Sequence, residues 1–133
     1  MRSRPMEDMI AWQVAREVAT EVYRRTRARP FDGDPALRSE LRRAARSIMA
    51  NIALGYERQS AREFTRCLDR ASGWTTELRS LIALTTDVGL LERRVAFGML
   101  IRVAEVARLI AGWITLVQLR QHRTIQHGSD RIN

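Results

Sequence analysis

DPALRSELRRAARSIMANIALG, residues 34–55, is the stretch whose reading decides the fold. Leu37, Leu41, Ala44, Ala45, Ile48 and Ile52 recur at helical spacing, so at about 100° per residue they gather into one apolar stripe. Asp34 is suited to cap the start of a helix, and Pro35 to occupy its first turn, where a missing N–H goes unnoticed. Gly55 reads as a left-handed residue just past the end. One amphipathic helix, bounded on both sides, is the expectation.

Breakers divide the flanking sequence in the same way. The cluster from Arg29 to Pro35 separates this helix from an earlier one. Ser60-Ala61-Arg62-Glu63 has the form of a capping box for the next, and Asp87-Val88-Gly89 closes it. Four helices follow, at about residues 7–28, 36–54, 61–86 and 91–121, with ends uncertain by about 2–4 residues. The third has its own stripe of Phe64, Cys67, Leu68, Ala71, Leu78, Leu81 and Ile82. The first gathers Trp12, Ala15, Ala19 and Val22, with Val18 and Tyr23 beside them. No strand alternation and no internal repeat is visible. Short connections favour antiparallel neighbours, so the expected architecture is all-α, a single up-down-up-down four-helix bundle over residues 1–121. The polar residues 122–133 are expected to form a frayed tail.

The chain of 133 residues has 23 basic and 15 acidic side chains, a formal charge of +8, and all 23 cations are arginine. At 45% hydrophobic and 29% charged it has an ordinary globular composition, which excludes a disordered or membrane-embedded chain. The most apolar segment, Val103 to Leu119, is interrupted by Glu105 and Arg108, so no spanning helix is expected. The N-terminal stretch shows no apolar core ahead of Glu7 and Asp8, which argues against a secretory leader. A lone cysteine, Cys67, fits a reducing, cytoplasmic setting. Excess positive charge points to an anionic partner such as nucleic acid, although a genome rich in G and C raises arginine content everywhere.

The fourth helix has more apolar surface than one core needs. Val95, Met99, Val103, Val106, Ile110, Trp113 and Val117 form one face. Phe97, Ile101, Leu109, Leu116 and Leu119 project elsewhere, among Arg102, Glu105 and Arg108. Apolar residues on two sides of a helix imply burial on two sides, either in a wide interface between the third and fourth helices or, as the favoured reading, against a neighbouring subunit. These five are the candidate oligomer interface, joined by Trp74 at the edge of the third stripe, whose alternative role is to stack on a base.

The run from Leu37 to Gly55 resembles the pattern Leu-x-x-Gln-Leu-Arg-Arg-Ala-Ala-x-Ser-Ile-x-x-Asn-Ile-Ala-Glu-Gly of the four-helix-bundle proteins encoded in intervening sequences of bacterial 23S ribosomal RNA genes. Ala11-Trp12-Gln13-Val14-Ala15 echoes that family's earlier Val-Trp-Gln-x-Ala element. Gly55, Arg58, Ser60, Glu63 and Phe64 match its next element, and Ala71, Gly73, Glu77 and Leu78 a later one. The resemblance spans about Met9 to Leu119. It implies a ring-shaped homopentamer, with RNA or DNA as the usual proposed ligand. A related branch, the accessory proteins of diversity-generating retroelements, implies a reverse transcriptase as a further kind of partner. Three positions depart from the pattern. Leu54 replaces an acid, which weakens any role for a carboxylate there; Cys67 replaces an aromatic and Trp74 a serine, both consistent with repacking.

No constellation for catalysis is visible. His122 and His127 both lie in the expected tail, and Cys67 lies on the core stripe. Carboxylate pairs such as Glu7 with Asp8, or Asp32 with Asp34, sit at helix starts, where capping explains them. No metal-ligand spacing and no phosphate-binding glycine loop occurs. The chain reads as a non-enzyme with no cofactor and no metal.

Arginines carry the functional expectation. Arg24, Arg25, Arg27 and Arg29 crowd the end of the first helix, where cations also suit its dipole. Arg38, Arg42 and Arg46 recur every four residues on the second, with Arg43 further round. Arg58, Arg62, Arg66 and Arg70 recur likewise into the third. Guanidinium forks match phosphates, so such rows suit a nucleic-acid backbone. Neighbouring acids can neutralise some of them: Glu21 with Arg24 and Arg25, Glu63 with Arg66, Glu40 with Arg43. Only the second-helix row looks under-compensated. The candidate nucleic-acid contacts are therefore Arg38, Arg42, Arg43, Arg46, Arg58 and Arg62. The alternative is a protein-interaction scaffold that binds no nucleic acid itself.

Overall fold

The computed structural model describes residues 9–132, with side chains at 9–123 and 125. Four α-helices account for most of them: α1 (Ile10–Arg25), α2 (Pro35–Tyr56), α3 (Ala61–Asp87) and α4 (Arg93–Ile132). No strand occurs among the described residues. Each helix packs against the next along the chain, and α4 packs against α1. Their apolar stripes meet in one core, where Ala11, Ala15, Val22, Ile48, Ile52, Leu68, Leu78, Ile82, Val106 and Ile110 have almost no exposed surface.

The expected boundaries form as the local chemistry dictates. Asp34 accepts the Leu37 N–H at 3.0 Å ahead of Pro35. Ser60 accepts the Glu63 N–H at 3.1 Å. At the end of α3, Gly89 adopts φ +83°, and its N–H reaches Thr86 O while the Leu90 N–H reaches Thr85 O. Those two bonds are the paired 5→2 and 6→1 closure of a Schellman turn, which needs a residue free to adopt positive φ.

Four details differ from the expectation. Gly55 is not a left-handed cap; it lies inside α2 and is buried. A Cβ there would stand 3.1 Å from Cys67 Cβ and 3.4 Å from Phe64 O, so the missing side chain lets α2 and α3 approach closely. The breaker cluster is itself ordered as a short 3₁₀ turn, Arg29–Gly33, which buries Phe31. Leu109 is half-buried against the core rather than projecting outward. Finally, α4 runs on to Ile132 instead of ending near residue 121. No proline follows Pro35, so no residue in this segment lacks the backbone N–H that the helix needs.

Phe97, Ile101, Leu116 and Leu119 are 67%, 52%, 41% and 56% exposed. At helical spacing they lie within about 100° of one another, on the side of α4 turned away from Met99, Val103, Val106 and Ile110. Leu84 of α3 and Val88 just after it are also exposed.

Candidate nucleic-acid interface

The arginine row of α2 is tied to the end of α1. Thr26, which follows α1, is 2% exposed. Its carbonyl accepts the Arg38 Nε–H at 2.9 Å, and its hydroxyl accepts the Arg42 Nε–H at 2.9 Å. Arg38 also pairs with Asp32. The Arg42 guanidinium lies 4.6 Å from the centre of the Tyr23 ring, and Arg46 donates to the Tyr23 hydroxyl at 2.7 Å. Three guanidinium groups at four-residue steps thus close the corner between α1 and α2. Arg38 and Arg42 are half-buried there, while Arg46 is exposed. Fork-shaped donors that also stack on an aromatic ring suit this task in a way lysine would not. Arg43, further round the helix, is exposed and stands 5.5 Å from the Trp74 ring of α3.

The row that starts in the α2–α3 connection and continues along α3 has the opposite character. Arg58, Arg62, Arg66 and Arg70 are all exposed, and the ion pairs among the described residues involve none of them. The expected pairings of Glu63 with Arg66 and Glu40 with Arg43 do not form, whereas Glu21 does hold Arg24 and Arg25 at 2.9 and 2.8 Å. The two rows therefore exchange the parts the sequence suggests for them. Arg38 and Arg42 are committed to packing, and the row from Arg58 to Arg70 offers free charge.

Trp74, expected at a subunit boundary, is half-buried between the core and a shallow depression it shares with Glu40, Arg43, Arg70, Gly73 and Glu77. A larger cleft of about 1030 Å³, not anticipated from sequence, opens between α1 and α4. Its apolar floor includes Val18, Val95 and Met99, and Arg102 bridges it to Glu17 at 2.8 Å. Among the described residues no group of His, Cys, Asp and Glu could hold a metal ion, and no helix is long and apolar enough to cross a membrane.

A four-helix all-α protein with an arginine-rich surface and one close α2–α3 crossing is the class this geometry defines. Residues 7–112 match the family model of the 23S rRNA-intervening sequence protein, and the chain belongs to that family. Among solved structures, the chain is similar to a protein of unknown function from the S23 ribosomal protein family of Bacteroides thetaiotaomicron, at 18% identity and a TM-score of 0.73. The match covers 79% of this chain and 98% of that one. At that identity the likeness concerns the fold. No curated protein matches the chain.

Proposed function

We propose that this protein is a non-enzymatic, cytoplasmic, up-down-up-down bundle that assembles as a homopentameric ring and binds RNA or DNA through backbone contacts of low sequence specificity. The observation that carries the reading is the exposed, unbridged row Arg58, Arg62, Arg66 and Arg70. Arg62, Arg66 and Arg70 extend over about 12 Å of the α3 axis, with Arg58 in the turn ahead of them, a stretch able to follow several phosphates. The exposed residues Phe97, Ile101, Leu116 and Leu119 support self-association. In a pentamer of +8 chains the summed charge is about +40, and modest sites repeated five times add through multivalency.

Binding of a labelled oligonucleotide, followed by fluorescence anisotropy from 50 to 300 mM salt, tests this. Log affinity falls linearly with log salt, by about 0.7–0.9 per phosphate neutralised. Changing all four arginines to glutamine reduces that slope by about 3 if one subunit's row is engaged. Affinity indifferent to salt, or a slope unchanged in the quadruple variant, refutes the assignment. Light scattering reads the assembly, and a particle at the 15.3 kDa of one chain refutes the ring.

The α1–α4 cleft favours a second reading, a scaffold that presents its ring to a protein partner such as a reverse transcriptase. A protein that purifies free of nucleic acid and never shifts a labelled RNA or DNA supports the scaffold instead.

A further inference from the structure

Arg58, Arg62, Arg66 and Arg70 advance by four residues at a time, and the next step is Trp74. Side chains at i and i+4 form a continuous ridge along a helix, each step rising about 6 Å. Within α3 the ridge therefore leads from three exposed, unbridged guanidinium groups, Arg62, Arg66 and Arg70, to a half-buried indole, with Arg58 in the turn ahead of the helix. Arg43, reaching over from α2, lies 5.5 Å from that ring. Gly73 beside it carries no side chain, and the space a Cβ would occupy is open. Glu40 and Glu77 line the same depression.

We infer that Trp74 is a stacking platform for an unpaired base of single-stranded RNA or DNA, with the strand's phosphates on Arg70, Arg66 and Arg62. This rests on the nucleic-acid reading above and narrows it from any backbone to a single strand. A charged track leading to an aromatic platform is the combination that single strands need: the cations hold the phosphates, and the ring takes whichever base is free, because every base has a π-face. Bases inside a duplex are stacked on one another and have no such face to offer. Stacked layers lie about 3.4 Å apart, so a base between indole and guanidinium requires about 7 Å, and Arg43 must withdraw by about 1.5 Å from its present 5.5 Å. Its side chain is exposed and outside every ion pair of the described residues, so that movement costs little. The Glu40 and Glu77 carboxylates repel phosphate from the depression and keep the backbone on the Arg70 side.

The test uses the full chain and a labelled 12-nucleotide oligonucleotide of mixed sequence, as single strand and as duplex, in RNA and DNA form. Wild type binds the single strand more tightly than the duplex at the same salt. Trp74→Ala lowers single-strand affinity by about 5- to 150-fold, the range for losing one base–aromatic stack, and leaves duplex affinity within about twofold. Trp74→Phe, which keeps a ring and so protects the fold, retains most of the affinity. A loss in the RNA arm, the DNA arm or both supports the platform and names its ligand. Equal binding of strand and duplex, or equal loss of both in Trp74→Ala, overturns the platform while backbone binding stands. If wild type binds neither, the nucleic-acid reading fails and the platform with it. A changed light-scattering mass for Trp74→Phe assigns the indole to a subunit contact and also overturns it.

Discussion

Replacing Thr26 with valine separates the packing role of the α2 arginines from a ligand-binding one. The Thr26 hydroxyl donates to Val22 O at 2.8 Å and accepts the Arg42 Nε–H at 2.9 Å, on a residue that is 2% exposed. Valine keeps the shape and the β-branch, so the change removes the hydroxyl and little else. Val22 O is not orphaned, because the Thr26 backbone N–H already donates to it at 3.0 Å. Arg42 loses a principal acceptor. Hydrogen bonds to charged groups contribute about 1.5–3 kcal/mol. Water can reach a half-buried guanidinium, and the added methyl gains up to about 0.8 kcal/mol. The expected net loss is about 1 kcal/mol, a fall in Tm of roughly 3–5 °C for a domain of this size. Urea and thermal unfolding followed by circular dichroism, at one protein concentration, would read it. In an Arg42→Met background the same Thr26→Val change should cost about 1 kcal/mol less, as coupled partners do. Strict additivity of the two changes, or no shift for Thr26→Val alone, would show that the corner does not depend on this bond. Affinity for an oligonucleotide should stay the same in Thr26→Val, since the residue faces inward.

Two further substitutions probe the helix junctions. Gly89→Ala forces an L side chain into φ +83°, and we expect a loss of about 1 kcal/mol by urea unfolding; an unchanged midpoint would mean the turn has rearranged. Gly55→Ala gains about 1 kcal/mol of helix propensity but places a methyl 3.1 Å from Cys67 Cβ. Overpacking typically costs about 1–3 kcal/mol, so a net destabilisation is expected in Gly55→Ala. Cys67→Gly in that background removes the Cβ the methyl meets, so its own cost in helix propensity of about 1 kcal/mol should be smaller there than in the wild-type chain.

Local signals in the sequence located all four helices, because Asp34-Pro35, Ser60 and Gly89 act on the backbone within a few residues of themselves. Glu21 with Arg25 was legible for the same reason: an i,i+4 pair is decided inside one helix. The parts that the sequence misplaces depend on distant residues. Gly55 looks like a cap until α3 brings Cys67 and Phe64 against it. Arg38 and Arg42 look free because Thr26, Tyr23 and Asp32 stand on another element and are charged only in part. Arg66 looks neutralised by Glu63, yet a residue three places away is a neighbour in spacing and not necessarily a partner. Phe31 lies in a segment rich in breakers, where neither period nor stripe marks a core residue, although it is 1% exposed.

The close crossing at Gly55 has a kinetic consequence. Cys67 is the sole cysteine of the chain, and its thiol is sealed into the α2–α3 seam at 2% exposure. A thiol reagent can reach it only in molecules whose seam has opened, so the labelling rate reports how often α2 and α3 part. Every chain thus carries one built-in clock at a known address. Run with and without a bound oligonucleotide, it would register whether ligand on the outer ridge of α3 slows the breathing of the inner face of the same helix.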